Sequence, residues 1–151
     1  MKQVILHNIR SHYNVGAIFR TADGAGVRKI YLVGYTPAPK DRFGRSVPEI
    51  SKTALGAEQA IPWEKNDDIL ALIESLQANG VKVVAVEQAE NSTQLYDFVV
   101  PESVAYIFGS ETEGLSKEVL ESVDEVLELP MLGSKESLNV SVTVGVVLYH
   151  K

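Results

Sequence analysis

The sequence predicts a single α/β domain, a mostly parallel sheet flanked by helices. Three observations carry that. Apolar runs of strand length alternate with amphipathic runs of helix length along the whole chain. The first 34 residues already hold a strand, a helix and a strand, the size of a βαβ unit. Val81–Val86 and Val104–Phe108 are apolar nearly throughout, as strands covered on both faces are. A chain of 151 residues can bury one sizeable core but hardly two.

In order, Lys2–His7 reads as the first strand. Asn14 suits an N-cap for a helix with Ile18, Phe19 and Ala22 on its apolar face, closed by Gly24 and Gly26. Lys29–Gly34 is the second strand. Thr36–Val47 carries Pro37, Pro39 and Gly44 among Lys40, Arg42 and Arg45, and predicts an irregular, mobile basic loop. Glu49–Ala60 reads as one short helix and Ala60–Glu64 as an extended connection. Asp67 and Asp68 open an amphipathic helix in which Ile69, Leu72, Ile73 and Leu76 share a face, ending at Asn79-Gly80. Val81–Val86 is a strand, and Tyr96, Asp97, Phe98 and Pro101 lie in the connection to the strand Val104–Phe108. Ser116 caps a helix reaching Val123, and Val126–Leu129 is the last short strand.

The remaining stretch points two ways. Val140, Val142, Val144 and Val146 alternate with Ser141, Thr143 and Gly145, the period of a strand. Ser137, Ser141 and Gly145 recur every four residues, which on a helix makes one face of small groups, with Ser137 as N-cap.

Zero cysteines exclude disulfides and thiolate metal sites, and three histidines show no metal-ligand spacing, so no metal is expected. No apolar run approaches the roughly 20 residues of a membrane helix, and Met1–Asn14 lacks a secretory pattern, so a cytoplasmic protein is expected. Charge is divided unevenly. Residues 1–52 hold nine Lys/Arg against three Asp/Glu, a net +6, while the other 99 hold five against seventeen, a net −12. That asymmetry suits a basic working face for a polyanion and an acidic, solubilising remainder.

Ligands of parallel sheets bind beyond the carboxyl ends of strands. Here those ends are Val86-Glu87, Gly109-Ser110-Glu111 and Leu129-Pro130-Met131. The loop Gly109-Ser-Glu-Thr-Glu-Gly114 is not a phosphate loop, because Leu115-Ser116 stands where Lys-Ser/Thr would be. Nor is it a dinucleotide fingerprint: its glycine spacing is wrong, and Glu111 and Glu113 would repel a pyrophosphate. It suits an uncharged or cationic ligand. No Ser/His/Asp or Cys/His set can be assembled.

Three segments together resemble a known family. Asn14-Val-Gly-Ala-Ile-Phe-Arg20-Thr-Ala, Ile107-Phe-Gly-Ser-Glu-Thr-Glu-Gly-Leu-Ser116, and Leu129-Pro-Met with Ser137-Leu-Asn-Val-Ser141 are similar to the three ordered motifs of the SPOUT superfamily, in its SpoU/TrmH branch of RNA 2′-O-ribose methyltransferases. The likeness runs from Val4 to Tyr149. It implies an α/β fold with a C-terminal trefoil knot, S-adenosylmethionine bound in that knot, an RNA substrate (tRNA or rRNA) and a homodimer. It also implies that the segment after Asn139 is a helix at the dimer interface, with Ser137, Ser141 and Gly145 as a contact face. Position by position, Arg20, Asn14, Glu111, Ser137 and Asn139 match the catalytic group, and Val86, Gly109, Leu129, Met131 and Leu138 the cofactor contacts. RNA contacts are expected from Arg10, Lys40, Arg42 and Arg45. Ser110 departs from the amide frequent at its position, and Val142-Thr143-Val144 replaces smaller residues. Since a guanidinium barely loses its proton, Arg20 is read as gripping a phosphate and stabilising the developing alkoxide rather than as a base. A cofactor-binding RNA chaperone or interaction module without transferase activity is the alternative.

Overall fold

The computed structural model describes residues 1–151. Seven strands form one sheet in the order β3-β2-β1-β6-β4-β7-β5, every pair parallel. They are β1 (Lys2–His7), β2 (Lys29–Val33), β3 (Trp63–Asn66), β4 (Lys82–Val86), β5 (Thr93–Gln94), β6 (Val104–Phe108) and β7 (Glu125–Glu128). The helices are α1 (His12–Gly24), α2 (Pro48–Ala54), α3 (Ala57–Ala60), α4 (Ile69–Ala78), α5 (Lys117–Ser122) and α6 (Val140–Tyr149).

Strand alternation divides the core in two. Val4, Leu6, Ile30, Leu32, Tyr106 and Phe108 face α1, α2, α3 and α6. Their neighbours Ile5, Tyr31, Val33, Ala105 and Ile107 face α4 and α5 through Leu72, Ile73, Leu76 and Val119. Because successive strand residues point to opposite faces, a strand covered on both sides must be apolar at every position. All five residues of β6, at the centre of the sheet, are buried.

Several elements differ from the expectation. Ser11, not Asn14, caps α1, its hydroxyl accepting from the Asn14 amide at 3.2 Å. The Asn14 side chain is thereby left for other work. The expected helix over 49–60 is two helices, broken where Leu55 and Gly56 adopt positive φ of 53° and 93°. Within the expected extended connection Ala60–Glu64, Trp63 begins a strand to Asn66 that pairs with β2 and ends the sheet. Thr93–Gln94 adds a two-residue strand at the other edge.

Residues 140–149 form a helix. Val140, Val144, Val147 and Leu148 are buried, an i, i+4, i+7, i+8 stripe packed on the core. Valine also occupies the outward positions, with Val142 and Val146 half exposed, so the helical stripe is masked in the sequence by a second apolar period. Tertiary burial outweighs the modest β-branched penalty. Asn139, not Ser137, is the N-cap, its Oδ1 accepting from the Ser141 amide at 2.8 Å. Of the expected small-residue face, Ser141 and Gly145 share one side of the helix and Ser137 does not join them. Ser137 precedes the helix, the Ser141 hydroxyl donates to Asn139, and Gly145 faces Thr21 of α1. No helix is long and apolar enough to cross a membrane.

Candidate active site

Register brings three strand ends together. Val86 pairs with Phe108 on one side and Leu127 on the other. The residues that follow leave the sheet along one edge and line a cleft of about 580 Å³. Val86, Gly109, Leu129, Met131 and Leu138, the five expected cofactor positions, all line it. So do Glu111, Ser137 and Asn139.

The wall made by 109–116 is held from within. Ser110 is buried, and its hydroxyl accepts from the Thr112 and Glu113 amides at 3.3 and 3.4 Å. Where the family motif favours an amide, this chain therefore uses a hydroxyl to tie the turn. A Cβ on Gly109 would lie 2.7 Å from Leu115 Cδ2, so the close approach of Leu115 needs glycine there. Glu87 braces the same loop: its Oε2 accepts the Leu115 amide at 3.0 Å and lies against Gly114. The opposite wall, 129–139, is tied by Gln88, whose Nε2 donates to the Glu136 carbonyl at 2.5 Å. In the sequence Glu87 stands out only as a strand end, and neither residue belongs to a motif. The first two positions after a parallel strand are the signal that could have found both.

Asn14 Nδ2 donates to Glu111 Oε1 at 2.7 Å, joining the first motif to the rim of the cleft. Asn139 turns its Oδ1 to the amide and hydroxyl of Ser141 at 2.8 and 2.6 Å, which fixes the amide orientation. Its NH₂ group has no protein acceptor and stands at the cleft wall. Glu87, Glu111 and Glu113 line the cleft with no Lys or Arg among its lining residues. That charge favours a cationic ligand over a phosphate.

Arg20 is not at this cleft. It is exposed in a separate depression with Lys52, Thr53, Thr21 and Tyr149. Six residues beyond Asn14 on one helix is about 240° of rotation, so Asn14 and Arg20 cannot serve the same side of α1. Lys52, which the sequence offered only as part of the basic excess, places a second cation beside Arg20.

The expected RNA contacts gather on the same sheet edge. Arg10 follows β1 and lies 5.6 Å from the Tyr35 ring centroid. The neighbouring Tyr35 side chain, and after it the Glu113 carboxylate, hold its guanidinium above the ordinary value. Residues 40–46 form a tied turn rather than a formless loop. Lys40 bridges Ser46, and Asp41 Oδ1 accepts the Phe43 and Arg45 amides at 2.9 and 3.0 Å. These bonds, the Arg45 amide foremost, hold the Asp41 carboxyl below its usual range. Arg42 and Arg45 lie 4.8 and 4.9 Å from the Phe43 ring centroid. No group of His, Cys, Asp and Glu is arranged to hold a metal ion.

Residues 1–149 match the family described as the SpoU rRNA Methylase family. The 23S rRNA (guanosine-2'-O-)-methyltransferase RlmB of Neisseria meningitidis serogroup B is 32% identical over 145 residues, 96% of this chain and 55% of that protein. The chain thus spans about half the length of the curated relatives it matches. The crystal structure of an AdoMet-bound rRNA methyltransferase from Sinorhizobium meliloti superposes with a TM-score of 0.86 at 31% identity, covering 99% of this chain and 54% of that one. A structure described as giving insights into the 2-OH methylation of C/U34 on tRNA superposes at 0.83 with 30% identity, covering 99% and 92%.

Proposed function

The chain belongs to the SpoU rRNA methylase family, and we propose that it transfers a methyl group from S-adenosylmethionine to a ribose 2′-oxygen of structured RNA. The observation that carries this reading is the cleft, where all five expected cofactor positions meet three of the five expected catalytic ones. The residues present fit the cofactor. The cleft has the volume of a nucleotide-sized site. Apolar residues at strand ends and Gly109 offer backbone groups for a nucleoside, and the three glutamates suit a sulfonium. The cofactor supplies an electrophilic methyl with a neutral leaving group, so the protein's task is to orient the ribose hydroxyl and favour its loss of a proton.

Arg20 holds an RNA phosphate and stabilises the alkoxide as it develops, a role suited to a permanent cation. Glu111, steadied by Asn14, and the free amide of Asn139 orient the ribose and the guanidinium. Since Arg20 lies outside the cleft of its own chain, the catalytic group is completed by a second copy. The half-exposed apolar residues Leu138, Val142, Val146 and Tyr149 along and before α6 are the surface on which two copies pair. The walls 109–116 and 129–139 are read as the loops of a trefoil knot, which α6 closes by returning to α1. A cytoplasmic location follows from an RNA substrate.

The test is transfer of labelled methyl to RNA, with the 2′-O position mapped and cofactor binding measured in parallel. Wild type should label RNA, and Arg20→Ala should lose at least about a hundredfold in transfer, on the scale of removing one transition-state donor, while still binding cofactor. Full activity in Arg20→Ala would reject the arginine role. RNA binding without any transfer by wild type would favour an interaction module instead.

A further inference from the structure

We propose that Tyr35 and Phe43 are stacking platforms for unpaired nucleobases beside the target nucleotide, so that the substrate is a single-stranded loop rather than continuous duplex. This rests on the RNA reading above and narrows it. Phe43 is 66% exposed and Tyr35 47%, both in the connection from β2 to α2, which leaves the carboxyl edge of the sheet. Each ring carries guanidinium groups over it, Arg10 over Tyr35 and Arg42 and Arg45 over Phe43, which a base must stack against or move aside. Aromatic rings interleaved with cations are what single strands bind, bases on the rings and phosphates on the cations. Duplex RNA offers only its backbone and a shallow groove, and has no use for an exposed phenyl ring.

Both platforms are stiff, which lowers the ordering cost of binding. Tyr35 is anchored from behind. Its amide donates to Asn8 Oδ1 at 3.1 Å, with Asn8 itself in the left-handed region at φ 58°. Next to it, buried Thr36 accepts the Ile9 amide at 3.0 Å, and its hydroxyl lies 2.9 Å from both the Leu6 and Val33 carbonyls. The loops carrying Arg10 and Tyr35 are thus stapled to each other. Phe43 stands on the turn that Asp41 ties, closed further by Asp41 N to Arg45 O at 2.9 Å and Val47 N to Pro39 O at 3.0 Å. Arg45 spends only Nε on Asp41, at 2.9 Å, leaving its terminal nitrogens for phosphate.

Position favours the same reading. All strands run parallel, so these loops share an edge with the cleft. β2 is two strands from β6, roughly 10 Å at the usual spacing. β1 lies between them, and Arg10 follows its carboxyl end. A short single strand can therefore run from the cleft past Arg10 to Tyr35, and Phe43 follows eight residues on in the same connection.

The experiment measures binding of two RNAs of equal length, a hairpin with a large unpaired loop and a fully paired duplex, over a range of salt. The proteins are wild type, Phe43→Ala, Tyr35→Ala and Phe43→Trp. Each alanine variant should weaken hairpin binding about tenfold, which is about 1.4 kcal/mol. Duplex binding and the salt slope should stay unchanged, because no charge is lost. Phe43→Trp should bind the hairpin as well as wild type or better. Equal losses on both RNAs, or no loss on the hairpin, would overturn the proposal. Methyl transfer by the same wild-type preparation separates the two readings. Transfer that persists alongside unaffected alanine variants sinks the stacking proposal alone, whereas absent transfer and absent RNA binding sink the functional reading with it.

Discussion

At Gly16 the first helix meets the second with no room for a side chain. A Cβ there would lie 1.9 Å from Thr53 Oγ1 and 2.4 Å from the Ile50 carbonyl oxygen. Exchanging glycine for alanine inside a helix ordinarily gains about 1 kcal/mol. Here the obstacle includes backbone, which cannot swing aside, so overpacking at roughly 1–3 kcal/mol outweighs the gain. Gly16→Ala should lower the urea midpoint, and an unchanged or higher midpoint would show that α1 and α2 can part freely. His7 gives a prediction in pH. Burial holds its imidazole below 6.5, and its Nδ1 is buried without a partner. A histidine with a depressed folded value is protonated first in the unfolded chain. Its effect on stability is therefore nil above pH 6.5 and grows unfavourable as pH falls from there through the folded value. His7→Asn should flatten the loss of stability below pH 6.5 relative to wild type in urea titrations at matched pH. Identical slopes would remove His7 from the acid response.

At the scale of elements, α6 holds two roles in one residue. Asn139 caps the helix with its oxygen and offers its nitrogen to the cleft. Asn139→Asp keeps the capping oxygen and loses the NH₂ donor, whereas Asn139→Ala loses both. The alanine variant should fall by about 1 kcal/mol in unfolding free energy, with the aspartate variant close to wild type. Methyl transfer should fall in both. Activity retained in Asn139→Asp would reduce Asn139 to a cap. The same element shows why part of the fold was hidden in the sequence. Its buried stripe follows a helical period, but Val142 and Val146 overlay a second apolar period, and only the packing of Val144 and Val147 against the core selects between them. β3 escaped notice for a different reason: Trp63-Glu-Lys-Asn is an edge strand with little burial to imprint a pattern. The central strands β1, β4 and β6 were legible because burial on both faces leaves only apolar residues.

Across the whole molecule, the motif residues could be named from sequence, but not which of them share a cleft. Glu111, Ser137 and Asn139 come together because the β4, β6 and β7 ends lie in register. Arg20 stands on another face because helical rotation carries it away from Asn14. Spacing along a chain records neither fact, nor whether a distant group is supplied by the same copy or another. If it is another, two inactive variants should repair each other. Arg20→Ala and Glu111→Ala each disable both sites of their own dimer. A mixed dimer holds one doubly altered site and one wholly wild-type site. In a twofold dimer with random pairing, half the molecules are mixed and one of their two sites works, so co-expressed variants should recover about a quarter of wild-type transfer. If Arg20 and Glu111 served a site within one chain, every site in the mixture would still lack a group. Transfer would then stay at the level of the single variants. The mixture is separated by two different affinity tags before assay, so that the recovered activity is assigned to the mixed species. Activity confined to that species requires the arginine to cross between copies, and its absence there returns the catalytic group to a single chain.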